Sequence, residues 1–112
     1  MNTEKGKWGE KEALNFLVGK GHQVLERNYR NKLGELDIVT LYEGMIYCIE
    51  VKSWRNSAVH PLEVMTERKI AKMKLIAKSF FYARKIPEEN YLVNICLLYV
   101  TGDGIEFFTD LL

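Results

Sequence analysis

Cysteine, histidine and proline are scarce in this chain, two of each in 112 residues, and the formal net charge is only +1. Cys48 and Cys96 both stand inside apolar, strand-like runs, far apart and without CxxC spacing. That argues against a disulfide framework or a zinc site and for two buried thiols in a reducing compartment. His22 and His60 are isolated in sequence, which favours surface or packing roles over metal binding or acid–base chemistry. No apolar run approaches the length of a membrane span, and the opening Met-Asn-Thr-Glu lacks the basic-then-apolar shape of a signal peptide. The expectation is a cytoplasmic protein with no membrane partner. Such a small net charge does not mark a nucleic-acid binder by itself, so the distribution of charge carries the argument. Repeats, low-complexity segments and linkers are absent too. With 47% hydrophobic residues, the chain reads as one domain over residues 1–112, long enough for a single core without staples.

Apolar periodicity and turn residues then divide the chain. Thr3 to Lys20 reads as a helix, with Thr3 as N-cap and Gly21 as stop. Gln23 to Arg30 reads as a strand and Asn31 to Gly34 as a turn. Two strand-like runs follow, Glu35 to Tyr42 and Met45 to Lys52, and then a loop from Trp54 to His60. Pro61 opens a helical stretch reaching Lys85, with a break foreseen near Met65 and Thr66, and with Ile70, Met73, Ala77, Phe80 and Phe81 on its apolar face. Tyr91 to Thr101 is a strongly apolar strand, and Gly102-Asp103-Gly104 turns it into a last strand, Ile105 to Asp110. The order α-β-β-β-α-β-β places a helix between the third and fourth strands, which calls for a parallel, right-handed crossover. The predicted fold class is therefore α/β, a mixed five-stranded sheet with helices against its faces.

The pair of runs around Glu43-Gly44 is the most informative stretch. Two residues with Gly second read as a tight hairpin loop, so that Tyr42 opposes Met45. Continuing that register sets Asp37 opposite Glu50 and Glu35 opposite Lys52, all on one side of the sheet, with Leu36, Ile38 and Thr40 on the other. Glu-Gly suits this turn less well than Asn-Gly, so a bulge shifting the register by one stays open. Two carboxylates opposed at ~5 Å, with an effective dielectric of ~20, repel by roughly 3 kcal/mol. Either one takes a proton or a cation sits between them. A hard divalent ion such as Mg²⁺ suits one or two carboxylates plus water and substrate phosphate. The alternative is a surface cluster in which Lys52 and Glu35 neutralise each other. On the first helix, Glu10, Ala13, Leu14, Leu17 and Val18 share a stripe. Glu10 either reaches water at the frayed end of that stripe or points over the charged end of the sheet.

Asp37, twelve intervening residues and Glu50-Val51-Lys52 resemble the PD-(D/E)xK signature of the restriction-endonuclease-like nucleases. More narrowly, Gly9-Glu10, Arg27-Asn28-Tyr29-Arg30, Gly34-Glu35-Leu36-Asp37-Ile38, Ile49-Glu50-Val51-Lys52 and Lys69 resemble the YraN-like family of small bacterial proteins, related to Holliday-junction resolvases. The resemblance covers nearly the whole chain and implies a three-layer α/β/α restriction-endonuclease-like fold. Three positions depart from the family pattern: Trp54 stands where an arginine is usual, with Arg55 one place later; the glycine usual before Pro61 is His60; and Leu92-Val93-Asn94 replaces an Arg-Phe-Asp sequence. Asn94 thus reads as a charge missing from a metal shell.

Together with the opposed carboxylates, the resemblance implies phosphodiester hydrolysis in DNA, branched or otherwise structured, with Mg²⁺ or Mn²⁺ as cofactor. Asp37 and Glu50 would hold the metal, Glu10 would bind a second ion or a metal-bound water, Lys52 would orient the attacking water, and Glu35 would hold Lys52. Arg30, Lys32, Arg55 and Lys69 would meet phosphates, while Trp54 and Tyr29 either stack on bases or pack. The basic run on the second helix, including Arg68, Lys72, Lys74, Lys78, Arg84 and Lys85, reads as a solvated face or as a DNA contact. The rival reading is a catalytically degenerate nucleic-acid- or partner-binding module that retains the fold. Monomer and homodimer both remain open.

Overall fold

The computed structural model describes residues 4–53 and 60–111. Helix α1, Glu4–Gly19, leads into β1, Gln23–Asn31, β2, Gly34–Tyr42, and β3, Met45–Ser53. A 3-10 turn, Pro61–Val64, precedes α2, Glu67–Arg84, and β4, Leu92–Thr101, and β5, Gly104–Phe108, complete the order. The strands form one sheet in sequence order, antiparallel except where β3 lies parallel to β4. Ala13 and Leu17 of α1 pack with Ile38, Ile49, Cys96, Leu98 and Val100. On the opposite face Met73, Ile76, Ala77, Phe80 and Phe81 of α2 pack with Leu36, Val39, Ile46, Cys48, Ile95 and Leu97. The mixed sheet is thus sandwiched between two helices, as the order of elements predicts. Among the described residues no helix is long and apolar enough to cross a membrane.

Local chemistry sets the boundaries. The predicted cap Thr3 lies outside the described residues, but the far end of α1 closes as foreseen. Gly21 takes φ 98°, and the N–H groups of Gly21 and His22 donate to the carbonyls of Val18 and Leu17, a Schellman closure. The foreseen break before α2 falls at Met65 and Thr66. Thr66 Oγ1 accepts the Lys69 N–H at 3.1 Å, so the helix restarts there with Lys69 in its first turn. Glu43 and Gly44 have φ of 47° and 79°, the two positive values of a type I′ turn. That turn fixes the register from Tyr42↔Met45 to Ile38↔Ile49 as predicted.

Two apolar expectations are corrected. Val18 is 59% exposed, so the buried stripe of α1 is narrower than five residues. Leu36 does not share a face with Ile38; it joins the α2-side cluster alongside Val39, which means that β2 breaks its alternation between them. Across the sheet Asn28 adopts φ 53°, between the pairs Arg27↔Ile38 and Tyr29↔Leu36. Both strands are therefore distorted beside Asp37, as at a bulge that re-aims a side chain. His22, by contrast, is a packing residue: its Nδ1 lies 2.7 Å from Thr40 Oγ1 and its ring stacks on Tyr42.

Candidate active site

The β2 distortion falls at the first candidate acid. Beyond Ile38↔Ile49 the ladder gives way, and the Asp37 carboxylate accepts the Val51 N–H at 2.8 Å. Asp37 and Glu50 are consequently not a cross-strand ladder pair, as the simple register had it. Both nevertheless line one open cleft of about 520 Å³, together with Glu10, Arg30, Glu35, Lys52, Lys69 and Lys72. The cleft lies where four elements converge: the bend of β1 at Asn28 and Arg30, the distorted part of β2, the end of β3 and the first turns of α2. A fifth, α1, is brought in by Gly9. A Cβ built at Gly9 would fall 1.8 Å from Ser53 Oγ and 3.1 Å from its Cβ, so glycine there lets α1 approach β3 closely. The next residue, Glu10, is thereby set at the cleft wall.

The two central carboxylates live in different fields. Burial pushes Asp37 up to about 7 from the ordinary 3.8, the charge of Glu50 adds to the rise, the Val51 N–H opposes it, and Glu10 and Glu35 push the same way. Glu50 is buried and meets two ammonium groups, Lys69 Nζ at 3.1 Å and Lys52 Nζ at 3.6 Å. Glu35 pairs with Arg30 at 2.9 Å, not with Lys52. This corrects the predicted role, and the reason is simple: Arg30 is its direct partner across the β1–β2 hairpin. Neither Glu10 nor Asp37 makes an ion pair among the described residues.

The rim residues named from the sequence fare unequally. Lys32 sits exposed in the β1–β2 turn and does not line the cleft. Trp54 and Arg55 lie outside the described residues. Tyr29 packs edge-on against Phe80, with ring centroids 5.2 Å apart, and its hydroxyl lies 3.4 Å from Ser79 Oγ. Arg84 is held by Glu26 and the Leu25 carbonyl. Asn94 pairs with Tyr47 of β3, three positions from Glu50, and its side chain anchors Asp110 by donating to Oδ1 and accepting the backbone N–H. The amide is therefore a fastening for the C-terminal segment. Asn28, quoted only within the family motif, and Lys72, named only in the basic run of the second helix, both line the cleft. Asparagine is among the few residues that tolerate positive φ, so its place inside the strand between Arg27 and Tyr29 was the available signal.

Among the described residues, no three acids, histidines or cysteines converge closely enough to cage an ion unaided. What the cleft offers is Asp37 and Glu50 with Glu10 and Glu35 beside them; Mg²⁺ commonly uses one or two carboxylates alongside water and substrate oxygens.

Residues 9–99 match the family described as "Uncharacterised protein family UPF0102". A UPF0102 protein of Clostridioides difficile is 42% identical over 85 residues, covering 75% of this chain and 73% of that one. A UPF0102 protein of Leptospira interrogans is 34% identical over 113 residues, covering 99% of this chain and 97% of that one. The match begins at Gly9, the glycine that seats α1, and spans every acid of the cleft. This chain belongs to the uncharacterised protein family UPF0102, the YraN family.

Proposed function

We propose that the chain is a metal-dependent endonuclease that hydrolyses phosphodiester bonds in DNA, branched or otherwise structured, with Mg²⁺ or Mn²⁺ as cofactor. The observation that carries this reading is the uneven neutralisation of the cleft. Glu35 and Glu50 have cationic partners, whereas Asp37 and Glu10 have none among the described residues, and Asp37 is raised to about 7. An unneutralised acidic centre inside a rim of lysine and arginine suits a cation and a phosphate together better than either alone. Asp37 and Glu50 would hold the ion, with Glu10 taking a water beside it. A bound ion of this class polarises a phosphate oxygen and lowers the pKa of an attached water. Lys52 orients the attacking water and meets the charge developing on phosphorus. Arg30, Lys69 and Lys72 hold the flanking phosphates. The PD-(D/E)xK resemblance supports the same assignment and supplies the preference for structured DNA.

One observation favours the rival. Glu50 already faces two lysines, and a carboxylate neutralised from within the chain would suit a binding module that has given up its metal. Lys52→Ala separates the two readings, because it leaves the proposed ligands in place and removes a cation that matters mainly in the transition state. The measurement is nicking of a labelled branched duplex with matched Mg²⁺ or Mn²⁺. An enzyme retains metal-dependent DNA binding in Lys52→Ala but loses scission by about 10²-fold or more. Equal nicking by both proteins would sink the mechanism, and no nicking by either across duplex, flap and junction substrates would favour the binding module.

A further inference from the structure

Behind the acidic cleft a second groove of about 460 Å³ opens between α1 and β1, lined by Lys7, Glu10, Lys11, Leu14, Arg27 and Asn28. It shares Glu10 and Asn28 with the first cleft, so the two meet at the unneutralised end of the acidic centre. Lys7, Lys11 and Leu14 follow one another at helical spacing along a single flank of α1. Arg27 rises to meet them from β1, the edge strand of the sheet. Of the cations that border the first cleft, Arg30 is tied to Glu35, Lys52 and Lys69 are tied to Glu50, and Lys72 alone makes no ion pair among the described residues. Lys7, Lys11 and Arg27 are exposed and make no ion pair among the described residues. Three unspent charges on facing elements call for an anion with several charges in a row.

We infer that the groove between α1 and β1 is a second phosphate-binding arm, which takes the sugar–phosphate backbone of DNA as it leaves the acidic cleft over Asn28. The inference rests on the DNA reading above and extends it by naming the path. Arg30, which lines the acidic cleft, and Arg27, which lines the second groove, flank Asn28 about 10 Å apart along the strand. A duplex strand carries roughly three phosphates over that length. Asn28, with φ 53°, is exposed and lines both grooves, so a short polar side chain stands where the two meet. A backbone running this way has phosphates held on both sides of the one that faces Asp37, so the acidic centre meets an internal bond and not a strand end.

The test is binding, so that it stands apart from cleavage. A fluorescently labelled four-way junction is titrated in Ca²⁺ across a range of salt, with wild type, the triple variant Lys7→Ala/Lys11→Ala/Arg27→Ala, and a second triple variant, Arg68→Ala/Lys74→Ala/Lys78→Ala. The second set removes three exposed cations of α2 that line neither groove. Removing three phosphate contacts should flatten the slope of log affinity against log salt by about 2 to 3. At low salt the first variant should bind at least about tenfold more weakly, while the second changes the slope by less than about 1. Melting curves check that both variants fold, and Lys11→Glu alone should shift the affinity in the same direction as the first triple variant. The arm is overturned if the first variant keeps the wild-type slope, or if both variants lose equally. If wild type binds no DNA at all, the DNA reading fails and takes the arm with it; if wild type binds and only the groove variant is unaffected, the arm alone fails.

Discussion

Asp37 and Glu50 are both carboxylates on neighbouring strands, yet burial burdens them differently. Glu50 has Lys69 and Lys52 at hand; Asp37 has one backbone N–H and three acidic neighbours, and its pKa is pushed up to about 7. A carboxylate raised in the folded state contributes stability that is fully present below its unfolded value near 4, and that is lost as the pH rises through 7. The metal-free protein should therefore lose stability, through this group, between about pH 4 and about pH 7. Asp37→Asn removes the titration while keeping an acceptor for Val51. Its melting temperature should gain on wild type as the pH rises from about 5 to about 8. Parallel pH profiles for the two proteins in a chelator would show Asp37 to be unstrained in its ionised form. Metal binding carries the same signature from the other side, since the ligand must be deprotonated: affinity for Mn²⁺ should fall steeply below about pH 7.

At the scale of elements, the site depends on how closely α1 approaches the end of β3. Gly9 and Gly19 both lie in α1, but a Cβ at Gly9 would strike Ser53 Oγ while one at Gly19 meets nothing within 4 Å. Helix propensity alone favours alanine over glycine by about 1 kcal/mol in a helix interior. Overpacking typically costs about 1–3 kcal/mol. Gly9→Ala should accordingly lose up to about 2 kcal/mol, the overpacking cost less the propensity gain, whereas Gly19→Ala should be neutral or stabilising by a few tenths. Chemical denaturation of the two variants measures both, and a stabilised Gly9→Ala would show that α1 can shift without cost. The extent to which this geometry is legible in the sequence follows from the same local rules. Element order, the break at Thr66 and the β2–β3 register are written in periodicity, caps and a two-residue Glu43-Gly44 loop whose glycine can take a positive φ. The face switch of Leu36 is not, because hydrophobic alternation carries no record of Asn28 turning left-handed or of a side chain replacing a ladder bond. The Arg30–Glu35 pair was within reach: closing Asn31 on Gly34 across a two-residue turn sets those side chains opposite each other. Gly9's contact with Ser53 joins residues far apart in sequence, and only the packed fold reveals it.

For the whole molecule, the cleft is a concentration of charge that folding must tolerate. Four acids and four bases line it, Glu10, Glu35, Asp37 and Glu50 against Arg30, Lys52, Lys69 and Lys72, but the pairing is lopsided and leaves the acids nearest α1 unmatched. The arrangement therefore stores a like-charge penalty that a divalent ion would relieve. An ion that binds only the folded state stabilises it by mass action, about 2.7 kcal/mol at a hundred times its dissociation constant. For a chain of this size that is a rise in melting temperature on the order of 10 °C. Lys69 marks the competition, since its ammonium sits on the Glu50 oxygen that the ion would need. Three proteins melted with and without millimolar Mn²⁺ resolve the balance. Wild type should be stabilised by the ion; Asp37→Asn should start higher in chelator and gain nothing from it. Lys69→Ala should start lower, because the buried Glu50 loses its nearer partner, and should then gain more than wild type from the same ion. A Lys69→Ala protein that gained less would make the lysine a helper of the metal and not its placeholder. An Asp37→Asn protein still stabilised to the wild-type extent would move the metal away from this cleft altogether.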